Sequence, residues 1–196
     1  MAAASETGRI EAFSDGVFAI AITLLVLDLK IPRDPSATAP LSRLLLAQWP
    51  AYLAFLTSFA TILIMWINHH RIFSLVGRSD DGLLFYNGLL LLGVTIVPFP
   101  TSLVAEYLRR DGARTAAFVF NGTYIFIAVA FNLLWRTAAV NGRLLHGDAD
   151  PAAVRAIFEA YRFGPAWYVL AFALGFVSVT GSLFLNLALA IYFAWP

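Results

Sequence analysis

The sequence predicts an all-α membrane protein with six transmembrane helices per chain, and three observations support this. Of the 196 residues, 60% are hydrophobic and 13% are charged, so the chain has too few polar side chains to cover a soluble globule. The apolar runs are mostly apolar on every side. Their lengths match the thickness of a bilayer. A soluble all-helical protein, the alternative, would need polar helix faces that these runs lack.

Charge and cysteine content exclude several other classes of protein. The 13 basic and 12 acidic side chains leave a formal net charge of +1, which argues against a nucleic-acid-binding or polybasic lipid-binding role. The chain has no cysteine, so neither a disulfide nor a thiolate metal site nor a cysteine nucleophile is possible. From the composition and the long apolar runs, we expect a multi-pass protein of the cell membrane, which is the cytoplasmic membrane if the source is prokaryotic.

The first two spans are expected at about residues 12–29 and 49–67. Pro32 and Pro35 end the first span within a turn-forming segment. Trp49 and Trp66 stand near the ends of the second, where interfacial aromatic residues are enriched. Along a helix they would lie about 25 Å apart, which is close to the thickness of the bilayer core.

The third and fourth spans are expected at about residues 83–105 and 116–135. Pro98 and Pro100 predict a kink near the far end of the third span, because proline cannot complete the helical hydrogen bonds. Residues 136–162 are expected to form a polar loop that carries a short amphipathic helix near residues 151–161.

The stretch 163–196 is ambiguous. As one helix it would extend about 50 Å, well beyond a bilayer, so we place a break at residues 178–182 and predict two short spans. These spans run over about residues 165–180 and 182–195. The chain, residues 1–196, is thus expected to form a single six-helix transmembrane domain. Its basic residues divide seven to six between the two sides, so the positive-inside rule sets no orientation.

The charged side chains within the predicted spans are Asp15 and Asp28, both on the first helix. A carboxylate placed where a spanning helix begins normally faces protein or water, so Asp15 is a candidate functional residue. Ser14 and Asp15 are also suited to capping the helix N-terminus, since both accept hydrogen bonds from free backbone N–H groups. Capping and a functional contact are compatible.

An apolar stripe runs along the first helix. It contains Val17, Ile20, Leu24 and Leu27, and Thr23 lies on its flank. Asp15 points nearly opposite to this stripe. Periodicity alone favours ordinary helix packing as the explanation of the stripe.

His69 and His70 end the second span. Adjacent side chains on a helix point about 100° apart, so the two cannot face one partner, and metal ligation normally requires a spacing of three or four. We therefore predict no metal site. One histidine is expected to be hydrogen-bonded inside the bundle, to Asp15 or Ser14, and the other to lie at the interface.

Other polar residues of the spans point away from enzymes. The asparagines are interpreted as interhelical hydrogen-bonding residues: Asn87, Asn121, Asn132 and Asn186. The sequence contains no Gly-rich phosphate loop, catalytic serine motif or helical His/Glu metal signature, so we predict neither catalytic residues nor a cofactor. A proton-coupled secondary transporter using Asp15 and a histidine is the alternative function, although the chain lacks the inverted repeat of many transporters.

The first helix also carries a family signature. The string Arg9-x-x-x-Phe13-Ser14-Asp15-Gly16, followed by Val-Phe-Ala-Ile-Ala-Ile-Thr-Leu-Leu-Val-Leu-Asp, resembles that of the prokaryotic relatives of transmembrane protein 175, the endolysosomal potassium channel. The resemblance extends along the chain. It includes the Trp66-Ile67-Asn68-His69-His70-Arg71 run, six spans and the length of one repeat.

The resemblance implies a potassium-permeable channel. Four single-repeat chains would form a homotetramer around a central pore that the first helices line, with potassium as the permeant ion. The hydrophobic constrictions would be Ile20, Leu24 and Leu27, and Thr23 would supply a hydroxyl implicated in ion preference. Asp28 near the far mouth would raise the local cation concentration.

The resemblance further implies a network that holds the pore helix. Its members would be Arg9, Phe13, Ser14 and Asp15, with His69 or His70. No Thr-Val-Gly-Tyr-Gly filter is present, so selectivity would arise at apolar constrictions, which can also gate by dewetting. Potassium holds its water less tightly than sodium, so a weak preference for potassium is expected.

Overall fold

The computed structural model describes residues 7–32 and 39–194, and these are mainly helical. The helices are α1 (Gly8–Leu24), α2 (Leu41–Ala47), α3 (Trp49–Phe73), α4 (Asp81–Ile96), α5 (Pro98–Tyr107), α6 (Ala113–Ala139), α7 (Pro151–Arg162), α8 (Gly164–Leu174) and α9 (Val179–Ala194). A 3₁₀ turn, Leu25–Asp28, prolongs α1. Two residues expected near span ends, Pro35 and Trp195, lie outside the described ranges.

Within those ranges, four helical stretches are long and apolar enough to cross a membrane: Gly8–Asp28, Trp49–Phe73, Asp81–Tyr107 and Ala113–Gly142. They overlap the first four expected spans. The protein is therefore an all-helical, multi-pass membrane protein. The short helix α2 was not predicted from the sequence.

The third stretch is interrupted at the expected prolines. α4 ends at Ile96 and α5 begins at Pro98, with Val97 between them in helical backbone geometry, so the helical hydrogen bonding is broken there and the bend itself stays a prediction. At the other end of α4, the Asp80 carboxylate accepts a hydrogen bond from the Leu83 N–H at 2.8 Å and caps the helix. The loop helix is confirmed as α7, whose N-terminus is capped by Asp150.

The break between α8 and α9 differs from the expected position. It lies at residues 175–178 rather than 178–182, because the Ser178 Oγ accepts a hydrogen bond from the Gly181 N–H at 3.0 Å and so caps α9. α8 ends at Leu174, six residues before the expected end of the span. At about 16 Å, it is shorter than the hydrocarbon core of a bilayer.

The packing places α6 among α4, α5 and α8, while α3 contacts α1, α5 and α9. α1 lies on α3 and α4. α4 lies close to α6 at Gly93, where an added Cβ would lie 2.6 Å from Ile127 Cγ1 and 3.1 Å from the Phe126 ring. Small residues allow helices in membranes to approach this closely.

Replacing Gly93 by alanine should therefore destabilise the fold by about 1–3 kcal/mol, because the packed α6 side chains have to shift. Thermal unfolding of the purified protein in detergent measures this. Gly88, on the same helix, has nothing within 4 Å of an added Cβ and is the matched control. Equal unfolding midpoints for Gly93→Ala and Gly88→Ala would contradict the close approach.

Candidate functional site

Helix α1 is the least buried of the four membrane-crossing stretches. Within its most apolar part, 22% of the residues are buried, whereas 44% or 50% are buried in the corresponding parts of the other three stretches. The side chains that do pack are Ser14, Phe18, Ala21 and Leu25, which recur every three or four residues and face α3 and α4. One face of α1 thus packs against α3 and α4, and the remaining surface of the helix is exposed.

The apolar stripe lies on this available side. Ile20 is 63% exposed, Leu24 is 42% exposed and Leu27 is 70% exposed. Thr23 is also exposed, and its hydroxyl donates a hydrogen bond to the Ile20 carbonyl at 2.9 Å. Val17 is half-buried and packs against the core, so ordinary helix packing accounts for that end of the stripe. The three exposed side chains do not pack within one copy and face lipid, a pore or another copy of the chain.

A buried chain of hydrogen bonds holds the packed face. The Ser14 hydroxyl donates to the Ile10 carbonyl at 2.8 Å and accepts from the Asn87 amide at 3.1 Å. The other end of that amide, Asn87 Oδ1, lies 3.0 Å from His69 Nε2. Ser14, His69 and Asn87 are all buried. The two bonds of Asn87 connect α1, α4 and α3 in series.

The bonding order fixes the histidine tautomer. Because the Ser14 hydrogen is donated to Ile10, the Ser14 oxygen can only accept, so the Asn87 NH₂ group faces it. The Asn87 carbonyl oxygen must then accept from His69, which therefore carries hydrogen on Nε2. The His69 ring is also held between Phe73, at 4.4 Å between ring centroids, and Phe18, at 5.5 Å.

Asp15 has a different partner from the expected one. Its Oδ1 accepts a hydrogen bond from Trp66 Nε1 at 2.8 Å, and the His70 ring stacks on Trp66 with centroids 6.4 Å apart. The expectation that a histidine bonds Asp15 or Ser14 directly is thus wrong, because Asn87 comes between His69 and Ser14. His69 is buried and His70 is exposed.

Two expected members of the network stand apart from it. Phe13 is 68% exposed, and Arg9 is exposed with no ion pair to any of the residues at 7–32 or 39–194. Both lie on the same side of α1 as Ile20. Nor do the described residues contain a cluster of three His, Asp or Glu side chains suited to a metal ion.

At the other end of α1, Asp28 faces a polar groove. Its Oδ1 accepts a hydrogen bond from the Ser102 hydroxyl of α5, and its Oδ2 is buried without a partner among the described residues. Lys30 and Glu106 also line the groove, with 4.0 Å between their charged atoms. The carboxylate at the helix end is thus attached to α5.

Sequence reasoning missed the specific roles of Trp66, Asn87 and Ser102. Trp66 was interpreted as an interfacial aromatic residue, and Asn87 as a general interhelical residue without a named partner. The signal that could have found Asn87 is its place in a span that must pack beside Ser14 and His69. Nothing in the sequence marks Ser102.

Replacing Trp66 by phenylalanine should weaken the attachment of α1, since it removes the N–H that Asp15 accepts and keeps the aromatic bulk. We expect a loss of about 1 kcal/mol in unfolding free energy, as for a partly exposed hydrogen bond. Denaturant unfolding in detergent measures this. Trp167→Phe is the control, because Trp167 is exposed and has no side-chain hydrogen bond among the described residues. Equal losses in the two variants would contradict a specific Asp15 contact.

Known proteins resemble this chain along most of its length. Residues 9–98 match the family model described as endosomal/lysosomal potassium channel TMEM175. The chain is 60% identical over 191 residues to a potassium channel of Chamaesiphon minutus, covering 97% of this chain and 94% of that protein. Over 192 residues it is 45% identical to a potassium channel of Streptomyces collinus, covering 97% of this chain and 93% of that protein.

The human relative is much longer. The human endosomal/lysosomal proton channel TMEM175 is 33% identical over 141 residues, which are 68% of this chain and 28% of that protein. Among solved structures, the crystal structure of a lysosomal potassium-selective channel TMEM175 homolog from Chamaesiphon minutus matches with a TM-score of 0.88 and 57% identity over 97% of each chain.

Proposed function

This chain belongs to the transmembrane protein 175 family, and on that premise we propose that it is a potassium-permeable cation channel. The single observation that carries the proposal is the exposed stripe of α1, whose opposite face is held by hydrogen bonds inside the chain. A spanning helix attached in this way presents its apolar stripe in a fixed direction. Such a stripe is suited to line a pore between copies of the chain.

The working unit is a homotetramer. Closed symmetric assemblies give every copy the same contacts, and a single chain with one exposed α1 cannot surround a pore by itself. Four copies bring four α1 helices around one axis. Within each copy, α8 and α9 complete the six-helix domain formed by residues 1–196, and α8, at about 16 Å, crosses only part of the bilayer core.

The constrictions are rings of Ile20, Leu24 and Leu27. An apolar ring offers an ion nothing to replace its hydration water, so permeation requires partial dehydration or a wetted state, and a narrow ring can close by dewetting. Potassium binds its hydration water less strongly than sodium does, so the free-energy cost of dehydration on entering the ring is lower for potassium. The result is a weak selectivity for potassium.

Thr23 and Asp28 lower the cost of permeation. The Thr23 hydroxyl donates its hydrogen to the Ile20 carbonyl. Its oxygen lone pairs are therefore free to coordinate a cation that has lost part of its hydration water. Four such oxygens would lie between the apolar rings. Asp28 lies near the far mouth, where its charge raises the local cation concentration.

Flux through reconstituted protein tests the proposal. Liposomes containing the purified chain should take up potassium faster than sodium under equal gradients, and protein-free liposomes should take up neither. The mass of the complex in detergent should correspond to four chains. Absence of ion flux in liposomes, or a monomeric mass in a conducting sample, would overturn the channel or its stoichiometry respectively.

Proton movement is the second candidate function, since the human relative is described as a proton channel. In a proton-coupled transporter, Asp15 and a histidine would pass the proton, but Asp15 bonds to Trp66 and the buried His69 bonds to Asn87. The two titratable groups are therefore not in direct hydrogen-bond contact. Single-channel recordings with and without potassium separate the candidates, because discrete openings at ion-channel rates exclude carrier turnover and a proton current persists when potassium is removed.

A further inference from the structure

A groove of about 980 Å³ lies beside the end of α6, away from the α1 stripe. It is formed by the last turn of α6, the loop that follows and the first two turns of α7. Its lining includes Trp135, Arg136, Val140, His146, Arg155 and Phe158. We propose that this groove, the α6–α7 groove, binds the phosphate headgroup of an anionic glycerophospholipid.

The position of the groove places it at the level of lipid headgroups. Arg136 directly follows the apolar run of α6. α7 packs Val154 and Ile157 towards the core and leaves Arg155 and Phe158 exposed. An amphipathic helix of this kind, with basic residues beside its apolar face, lies in the plane of the interface.

The charges in the groove favour an anion. Arg136 and Arg155 are exposed, and neither forms an ion pair with another residue in the part of the chain that the structure describes. Of the neighbouring acids, Asp150 caps α7 by accepting from the Ala152 N–H at 2.8 Å, and neither it nor Asp148 nor Glu159 lines the groove. Two guanidinium groups can hold one phosphate by charge-assisted hydrogen bonds. This is a local pair, not the polybasic surface that the low net charge excludes.

Trp135 gives an independent indication of a ligand. Its side chain lines the groove and is 1% exposed, yet its Nε1–H has no hydrogen-bond partner among residues 7–32 and 39–194. Buried polar groups in proteins are normally hydrogen-bonded. The indole can only donate, so a lipid phosphate or ester oxygen would supply the missing acceptor once the side chains over the buried nitrogen move to admit it.

The wall of the groove is fixed by backbone pairing. The loop after α6 is joined to the loop after α3 by three backbone hydrogen bonds. Gly77 N–H donates to Leu144 O and His146 N–H donates to Leu75 O, both at 2.9 Å, and Arg78 N–H donates to Leu144 O at 3.1 Å. The His146 ring lies so close to Gly77 that a Cβ there would be 2.5 Å from Nδ1. The loop side of the groove is thus positioned without a ligand, which reduces the ordering cost of binding.

Lipid titration of the delipidated, full-length protein in detergent tests the proposal, with the thermal unfolding midpoint as the readout. A short-chain phosphatidylglycerol should raise the midpoint in a saturable manner, and phosphatidylcholine should not. Arg136→Gln and Arg155→Gln should each weaken the apparent phosphatidylglycerol affinity about tenfold, as expected for loss of a charge-assisted bond. Arg162→Gln is the matched control, because it makes the same charge change on α7 outside the groove lining.

Trp135→Phe tests the indole separately. Without lipid it should leave the unfolding midpoint unchanged or higher, because it removes an unpartnered buried donor, and with phosphatidylglycerol it should weaken affinity about threefold or more. Equal shifts with both lipids, or equal weakening in Arg155→Gln and Arg162→Gln, would overturn the groove as a lipid site. A saturable shift with inorganic phosphate alone, lost in Arg155→Gln, would replace the lipid by a free anion. An unchanged affinity in Trp135→Phe would overturn the assigned indole contact.

Discussion

Replacing Ile20 by serine is expected to raise potassium flux about tenfold and to bring the potassium-to-sodium ratio close to one. In the proposed tetramer, this change removes four sec-butyl groups from one constriction and adds four hydroxyls that can hydrate an ion. A barrier lower by about 1.4 kcal/mol corresponds to this tenfold increase. The flux of both ions should rise, and the flux of sodium should rise more because the free-energy cost of dehydrating sodium is larger.

The measurement is ion flux into liposomes under matched potassium and sodium gradients. Val26→Ser is the control, since Val26 is 53% exposed and lies outside the stripe of Ile20, Leu24 and Leu27. Flux and selectivity that stay at wild-type values in the Ile20 variant would count strongly against the pore assignment. An equal gain in the Val26 variant would show that any loss of apolar bulk on α1 suffices.

Replacing Asn87 by leucine is expected to detach α1 from its support. The change removes the donor to Ser14 and the acceptor from His69 together, and both partners stay buried. Leaving buried polar groups unpaired costs about 1–3 kcal/mol, so the unfolding free energy should fall by about that amount. Because α1 then loses one of the attachments that set its rotation and keeps those at Asp15 and Asp28, potassium selectivity should fall in part.

Thermal unfolding and liposome flux, measured on the same preparation, check both consequences. Thr95→Val is the matched control on α4, because the Thr95 hydroxyl bonds only to the Leu91 carbonyl of its own helix, at 2.8 Å. Wild-type stability in Asn87→Leu would contradict the buried network. Lower stability with unchanged selectivity would contradict the link from that network to the direction of the stripe.

The sequence predicted the membrane class and the first four apolar stretches because these depend on composition and run length, which are local properties. The interruption of the helix at Pro98 is local for the same reason. The α8–α9 boundary was displaced because several small and polar residues stand between Gly175 and Ser182. The choice among them depends on which one caps α9, and the structure uses Ser178.

The partners within the site could not be obtained from spacing along one helix. Spacing located Asp15 and the stripe on opposite sides of α1, and the structure agrees in leaving Ile20 exposed away from α3 and α4. Which side chain meets Asp15 depends on how α3 is rotated and how far it extends, and this brings Trp66 rather than a histidine to the carboxylate. The interpretation of Trp66 as an interfacial residue took account of contacts with lipid and not of a partner within the protein.

The attachment of α1 restricts how a pore between neighbouring copies could change width. The helix is fixed near its start at Ser14 and Asp15 and near its end at Asp28, about 20 Å further along its axis. Because both ends of α1 are bonded to the same subunit, the helix cannot tilt about either end without breaking hydrogen bonds at the other. The aperture then varies only through side-chain rotation at the stripe or through displacement of each whole subunit, with α1, α3, α4 and α5 moving together.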